Sequence, residues 1–146
     1  MAKLKLLTII AVLSLFFVSI QKAQCEDTSK SEYEKKAVEA ALKWLETVDS
    51  GKYGDNWNSS ASYFKNAVTQ KDWAKSLIAV RAPLGKTIKR EVLSKQYTNE
   101  LPGAPDGKYV VIQFTTSFEN KQSAVETVTP MLDKDGDWRV SGYYIK

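Results

Sequence analysis

The 146-residue chain contains no histidine and a single cysteine, Cys25. Without histidine there can be no Ser-His-Asp or Cys-His nucleophile system, no imidazole zinc ligand and no imidazole general base. Because Cys25 stands near the N-terminus, residues 26–146 have no thiol for an internal disulfide or a thiolate metal site. A domain exported in that form depends on its apolar core alone. Neither a cofactor nor a metal is expected from this inventory, and any catalysis would fall to carboxylate, tyrosine, lysine or arginine. Basic excess is also scarce. Of the formal net charge of +4, three units come from Lys3, Lys5 and Lys22, and residues 1–25 contain no acid. The remainder is close to neutral and has no electrostatic footprint for nucleic acid.

The chain also lacks a hydrophobic run suited to a permanent membrane span. Its one apolar run, Leu6 to Ile20, is short and follows Lys3 and Lys5. A basic start, an apolar run of this size and the small-residue site Ala23-Gln24-Cys25 read as a secretory signal peptide over 1–25. Cys25 keeps a lipid anchor open as the minor alternative, although Lys22 and Gln24 fit a lipobox badly. Residues 26–36 are expected to form a flexible mature N-terminus and the start of the first helix, and 37–146 a single domain.

The mature stretch reads as helices followed by strands. Ser31-Glu-Tyr-Glu34 fits a capping box, and Ala37, Val38, Ala41, Trp44, Leu45 and Val48 share a helical face ending at Gly51. A shorter helix is expected over Asp55 to Lys65. A third is expected after the cap Thr69-Gln-Lys-Asp72, with the face Trp73, Leu77, Val80 and Leu84. Lys86 to Tyr97 then reads as a strand with Ile88 and Val92 on one face, and Leu101 to Gly107 is dense in turn residues. Lys108 to Phe118 carries Val110, Ile112, Phe114 and Phe118 at one parity, and two further strands follow at Ser123 to Leu132 and Asp137 to Ile145. The expected fold class is α+β: three N-terminal helices packed on a four-stranded antiparallel meander. A type I turn with a glycine bulge over Asp133 to Gly136 would set Leu132 opposite Trp138, Pro130 opposite Val140, Val128 opposite Gly142 and Glu126 opposite Tyr144.

Two charges fall at inward parity. Arg90 lies between Ile88 and Val92, and Glu126 shares a face with Val128, Leu132 and, across the ladder, Tyr144. A charge facing a core is costly unless it is paired or wet. Three readings follow: a buried structural pair, a pocket that admits water and ligand, or a bulge that turns both side chains outward. Arg90, Glu126 and Tyr144 are therefore the candidate ligand-binding residues, with Glu126 the candidate catalytic base. Arg81 reads as a solvated helix position, and Trp44, Trp57, Trp73 and Trp138 as packing. Asp133, Asp135 and Asp137 echo a calcium loop only weakly. Trp138 and Tyr144 stand where that loop needs Gly and Glu, which leaves a solvated hairpin.

Several of these residues, with their neighbours, occur in a telling order. They are Trp44-Leu45, Asp49-x-Gly51-x-Tyr53, Trp57, Trp73, Arg81-x-Pro83-Leu84-Gly85, Arg90, Pro102 to Gly107, Tyr109-Val-Val111, Phe114, Phe118, Lys121, Glu126 and Asp135-Gly136-x-Trp138-Arg-Val-Ser-Gly-Tyr-Tyr-Ile145. Over Ala37 to Ile145 the chain resembles the bacterial domain-of-unknown-function 4019 family. The resemblance implies an exported, periplasmic bacterial protein. It also implies the cone-shaped fold shared by nuclear transport factor 2, ketosteroid isomerase and the SnoaL-like cyclases. It brings no substrate, catalytic residue or cofactor. The expected function is a non-enzymatic binding or protein-interaction domain with a pocket between sheet and helices, its partner a protein or a small molecule. Outer-face aromatics, Tyr109 and Tyr143, would favour docking or a homodimer. The alternative is a small-molecule lyase, isomerase or hydrolase with Glu126 as base and Arg90 or Tyr144 stabilising negative charge.

Overall fold

The computed structural model describes residues 27–146; the expected leader, its cleavage site and Cys25 lie outside the described residues. The sheet belongs to a compact unit, Tyr33–Lys146, and the contacts discussed below lie within it. Helix α1 covers residues 27–49 and is already formed ahead of the expected start at Ser31. Ala37, Ala41, Trp44, Leu45 and Val48 are buried along it, as the periodicity requires. Its end is a Schellman turn. Gly51 takes φ 69°, Lys52 N–H donates to the Thr47 carbonyl and Gly51 N–H to that of Val48.

Among the described residues four α-helices form where three were expected. The single helix expected over Asp55 to Lys65 is two: α2, Tyr53–Asn58, and α3, Ser62–Ala67. Distant partners cause the break. The Ser60 hydroxyl accepts from Trp44 Nε1 at 2.9 Å and donates to the Asn56 carbonyl, an acceptor that a continuous helix would use itself. Ala61 N–H donates instead to the Val140 carbonyl at 2.9 Å, and its ψ of 149° takes the backbone out of the helix. Helix α4, Gln70–Arg81, starts as read: Thr69 Oγ1 accepts from Asp72 N–H at 3.2 Å. A 3-10 turn, Ala82–Leu84, and Gly85 at φ 74° end the helical half.

Four strands follow: β1 Thr87–Thr98, β2 Tyr109–Phe118, β3 Lys121–Leu132 and β4 Trp138–Ile145. They pair antiparallel in chain order, so the domain is α+β with a meander sheet. Val110, Ile112, Phe114 and Phe118 are buried on β2, joined by Thr116. Trp138 packs against the same core cluster as Phe114, so both lie on the helix-covered face. The last hairpin forms the turn read from its residues: Gly136 has φ 88°, and Asp133 N–H donates to Asp137 O at 2.9 Å.

Three parts of the strand reading need correction. Leu132 does pair with Trp138 and Pro130 with Val140, but a bulge at Ser141 then shifts the ladder by one. The Ser141 hydroxyl bonds to the Thr129 carbonyl, and beyond it Val128 faces Tyr143 while Glu126 faces Ile145. The parity of the two tyrosines is therefore exchanged. Tyr143 turns inward and Tyr144 lies exposed on the other face. Tyr109, expected on the exposed outer face, is fully buried. Its hydroxyl bonds to the Pro105 carbonyl, and Gly107 packs closely on its ring. On β1, irregularities at Ile88 and Leu93 interrupt the alternation, leaving Ile88 66 % and Val92 46 % exposed.

Candidate functional site

The polar centre of the domain is a cluster of two carboxylates and two guanidinium groups. Glu126 sits mid-strand on β3 opposite Phe114 and is fully buried. Arg90 reaches it from β1, where it pairs with Thr116 of β2. Its Nε donates to Glu126 Oε2 at 2.6 Å and its Nη2 to Oε1 at 3.2 Å. Thr116 Oγ1 donates to Oε2 at 2.5 Å, and Tyr143 OH donates to Oε1 at 2.5 Å. Each carboxylate oxygen thus accepts two hydrogen bonds, which fills its lone-pair directions. Arg81 Nη1 stands 3.5 Å from Oε1 as an ion-pair partner; this nitrogen is buried without a hydrogen bond of its own.

Asp49, the last residue of α1, bridges the two arginines on the more open side of the cluster. Arg90 Nη1 binds Oδ2 and Arg81 Nη2 binds Oδ1, both at 2.7 Å, while Thr87 Oγ1 donates to Oδ1 at 2.9 Å. The Arg81 guanidinium also stacks 4.5 Å from the centre of the Phe118 ring. The electrostatics follow from this arrangement. Burial pushes the Asp49 carboxyl up, but the arginines and Thr87 outweigh it and hold the group below its usual range. Burial opposes the charge on Arg90, yet Asp49 and Glu126 raise its pKa overall. The Tyr143 hydroxyl is pushed well above its ordinary value, first by burial and then by the Glu126 charge it faces.

Of the three candidate residues, the structure brings Arg90 and Glu126 together and leaves Tyr144 out. Tyr143 takes the expected place of Tyr144, by way of the Ser141 bulge. Arg81, read as solvated, is instead 5 % exposed and part of the cluster. The signal was present in the chain: Trp73, Leu77 and Arg81 follow at four-residue steps on one helical face. Asp49 stands four residues after the buried Leu45, and Thr116 shares the parity of Ile112 and Phe114; neither was singled out.

A second feature is open to solvent. A groove of about 570 Å3 runs between α1 and the start of β4, with Lys36, Glu39 and Lys43 on one wall and Asp137 and Arg139 on the other. Trp44, Trp138, Ala40 and Val140 line its apolar part. Arg139 is held by Asp135 and Asp137 at 2.6 and 2.9 Å, with Asp133 at 3.6 Å. The three aspartates of the last hairpin therefore converge on a guanidinium. Asp133 is also fixed by Ser62, whose N–H and hydroxyl both donate to its Oδ2. None of Arg90, Glu126 and Tyr144 lines this groove. Among the described residues no helix is long and apolar enough to cross a membrane.

No match was found among curated proteins or among solved structures. A family model described as a protein of unknown function (DUF4019) matches residues 40–143, the stretch that runs from the groove wall of α1 to Tyr143 and includes every member of the charge cluster. The chain belongs to the DUF4019 family.

Proposed function

We propose that the protein is a non-enzymatic binding domain, exported to the periplasm by a cleaved leader over 1–25, and that its ligand sits in the groove between α1 and β4. The observation that carries this reading is the saturation of Glu126. A general base needs a free lone pair aimed at the substrate proton. Glu126 has four donors on its two oxygens, which leaves no lone pair free to take a substrate proton. The cluster therefore suits a structural tie better than a lyase, isomerase or hydrolase centre of the ketosteroid-isomerase kind. Helices followed by a meander also agree with the cone-shaped, nuclear transport factor 2-like architecture, which hosts catalytic and non-catalytic members alike. The groove combines an apolar floor with a rim of both charge signs, the usual make-up of a small-ligand or peptide site. Lipid anchoring through Cys25 remains the lesser alternative for its location.

The test is native mass spectrometry of protein recovered from the periplasm. Wild type should carry a bound mass that Ala40→Phe, which fills the groove, loses while its circular dichroism is unchanged. Glu126→Gln, examined well below its melting temperature, should keep that mass. A ligand lost by Glu126→Gln and kept by Ala40→Phe would move binding into the sheet and defeat the proposal. So would wild-type protein that carries nothing.

A further inference from the structure

The two edges of the sheet are treated differently. On β4, the Val140 carbonyl is taken by Ala61 N–H, and α3 packs against the strand. On β1, among the described residues, backbone-to-backbone bonds run only to β2. This free edge is twelve residues long and carries three exposed aliphatic side chains, Ile88, Val92 and Leu93. An unpaired edge of this kind is a template for another strand. The irregularities at Ile88 and Leu93 flank the regular stretch Lys89–Val92, which confines any added strand to this part of the edge.

The charges along that stretch specify which strand fits. Lys89 and Glu91 pair with Ser117 and Thr115 of β2, so both project from the same face, and they already form an ion pair at 2.9 Å. We infer that β1 adds to β1 of a second copy, antiparallel about a twofold axis at Arg90, so that Lys89 faces the partner's Glu91 and Glu91 faces the partner's Lys89. The same register brings Ile88 beside the partner's Val92. Arg90 lies on the axis, on the helix-covered face, where its guanidinium is committed to Asp49 and Glu126. Neighbouring registers are worse. An axis at Lys89 opposes that lysine to the partner's Lys89, and an axis at Glu91 opposes that carboxylate to the partner's Glu91. The paired stretch is short, so the dimer is weak and concentration-dependent.

Sedimentation equilibrium of the exported protein tests this by charge exchange. Lys89→Glu places two acids opposite each other, and Glu91→Lys places two lysines. Each change should weaken self-association about ten-fold or more. The chain carrying both changes, and an equimolar mixture of the two single variants, both restore opposite charges. They should recover wild-type association to within about three-fold. Lys89 and Glu91 are 66 % and 63 % exposed, so the folds should survive, as far-UV circular dichroism would confirm. Three results would overturn the inference: a wild type that stays monomeric at millimolar concentration, a dimer indifferent to the single reversals, or failure of both restorations.

Discussion

Replacing Glu126 by Gln changes almost no volume and so leaves the packing intact while removing the charge. The wild-type cluster is neutral, with Asp49 and Glu126 against Arg81 and Arg90. The variant leaves one uncompensated positive charge among side chains that are only 5 % and 10 % exposed. It also forces an amide NH2 into a donor-filled site. At Oε2 that group would face Arg90 Nε and Thr116, and at Oε1 it would face Tyr143 and Arg90 Nη2. Breaking one partner of a buried ion pair costs roughly 3–5 kcal/mol. Asp49 remains to hold both arginines, so the lower end, about 3 kcal/mol, applies. For a domain of this size that corresponds to a melting temperature lowered by roughly 10–15 °C. Circular dichroism melts and urea titrations read both quantities. A cycle is built from Glu126→Leu, Arg90→Met and the double variant carrying both, which keeps the Arg81–Asp49 pair and restores neutrality. The double should be less destabilised than the two single changes added together, by about 2 kcal/mol. A Glu126→Gln protein melting within about 3 °C of wild type, or a strictly additive cycle, would refute the reasoning.

Two further outcomes follow from the buried hydrogen bonds and the shifted titrations. Tyr143→Phe removes a hydrogen bond to a buried carboxylate and should cost about 1.5–3 kcal/mol in urea unfolding, whereas Tyr144→Phe, on the exposed face, should stay within about 0.5 kcal/mol. The pH profile should fall at both ends. Asp49 and Asp133 are held below 3.8, so the unfolded chain takes up protons first; stability is full above about pH 5 and drops as the pH falls through the depressed native values, less steeply in Asp49→Asn. Tyr143 is raised above 10, so the unfolded chain ionises first and stability declines as the pH rises past 10, an arm that Tyr143→Phe should flatten.

What the sequence discloses here is what local chemistry decides. The Thr69 cap, the Gly51 exit and the Asp133–Gly136 hairpin each depend on residues within one turn of each other, and each formed as read. The strand parity of β2 and β3 was also legible, which is why Glu126 was found as an inward charge. The features missed depend on distant partners. Nothing near Ser60 announces that Trp44 and Val140 will draw the chain out of its helix. The Ser141 bulge is settled by the Thr129 carbonyl on the facing strand, and that one inserted residue exchanges Tyr143 for Tyr144 in the site. Arg81 is hidden in the sequence for a different reason. A face drawn through Val80 and Leu84 excludes it, whereas Val80 is 48 % exposed, the helix stops at Arg81, and the buried face is Trp73, Leu77 and Arg81.

The position of Tyr143 along the chain has a consequence for how the domain comes into being. Asp49, Arg81, Arg90, Thr116 and Glu126 are all made before it, and the buried carboxylate still lacks one donor until the final strand arrives. A partial chain ending before it therefore holds a cluster that is neutral overall but one hydrogen-bond donor short around its buried carboxylate. The final strand thus brings the last partner to a carboxylate whose other partners come from α4, β1 and β2, so the cluster is complete only when the whole domain has been made.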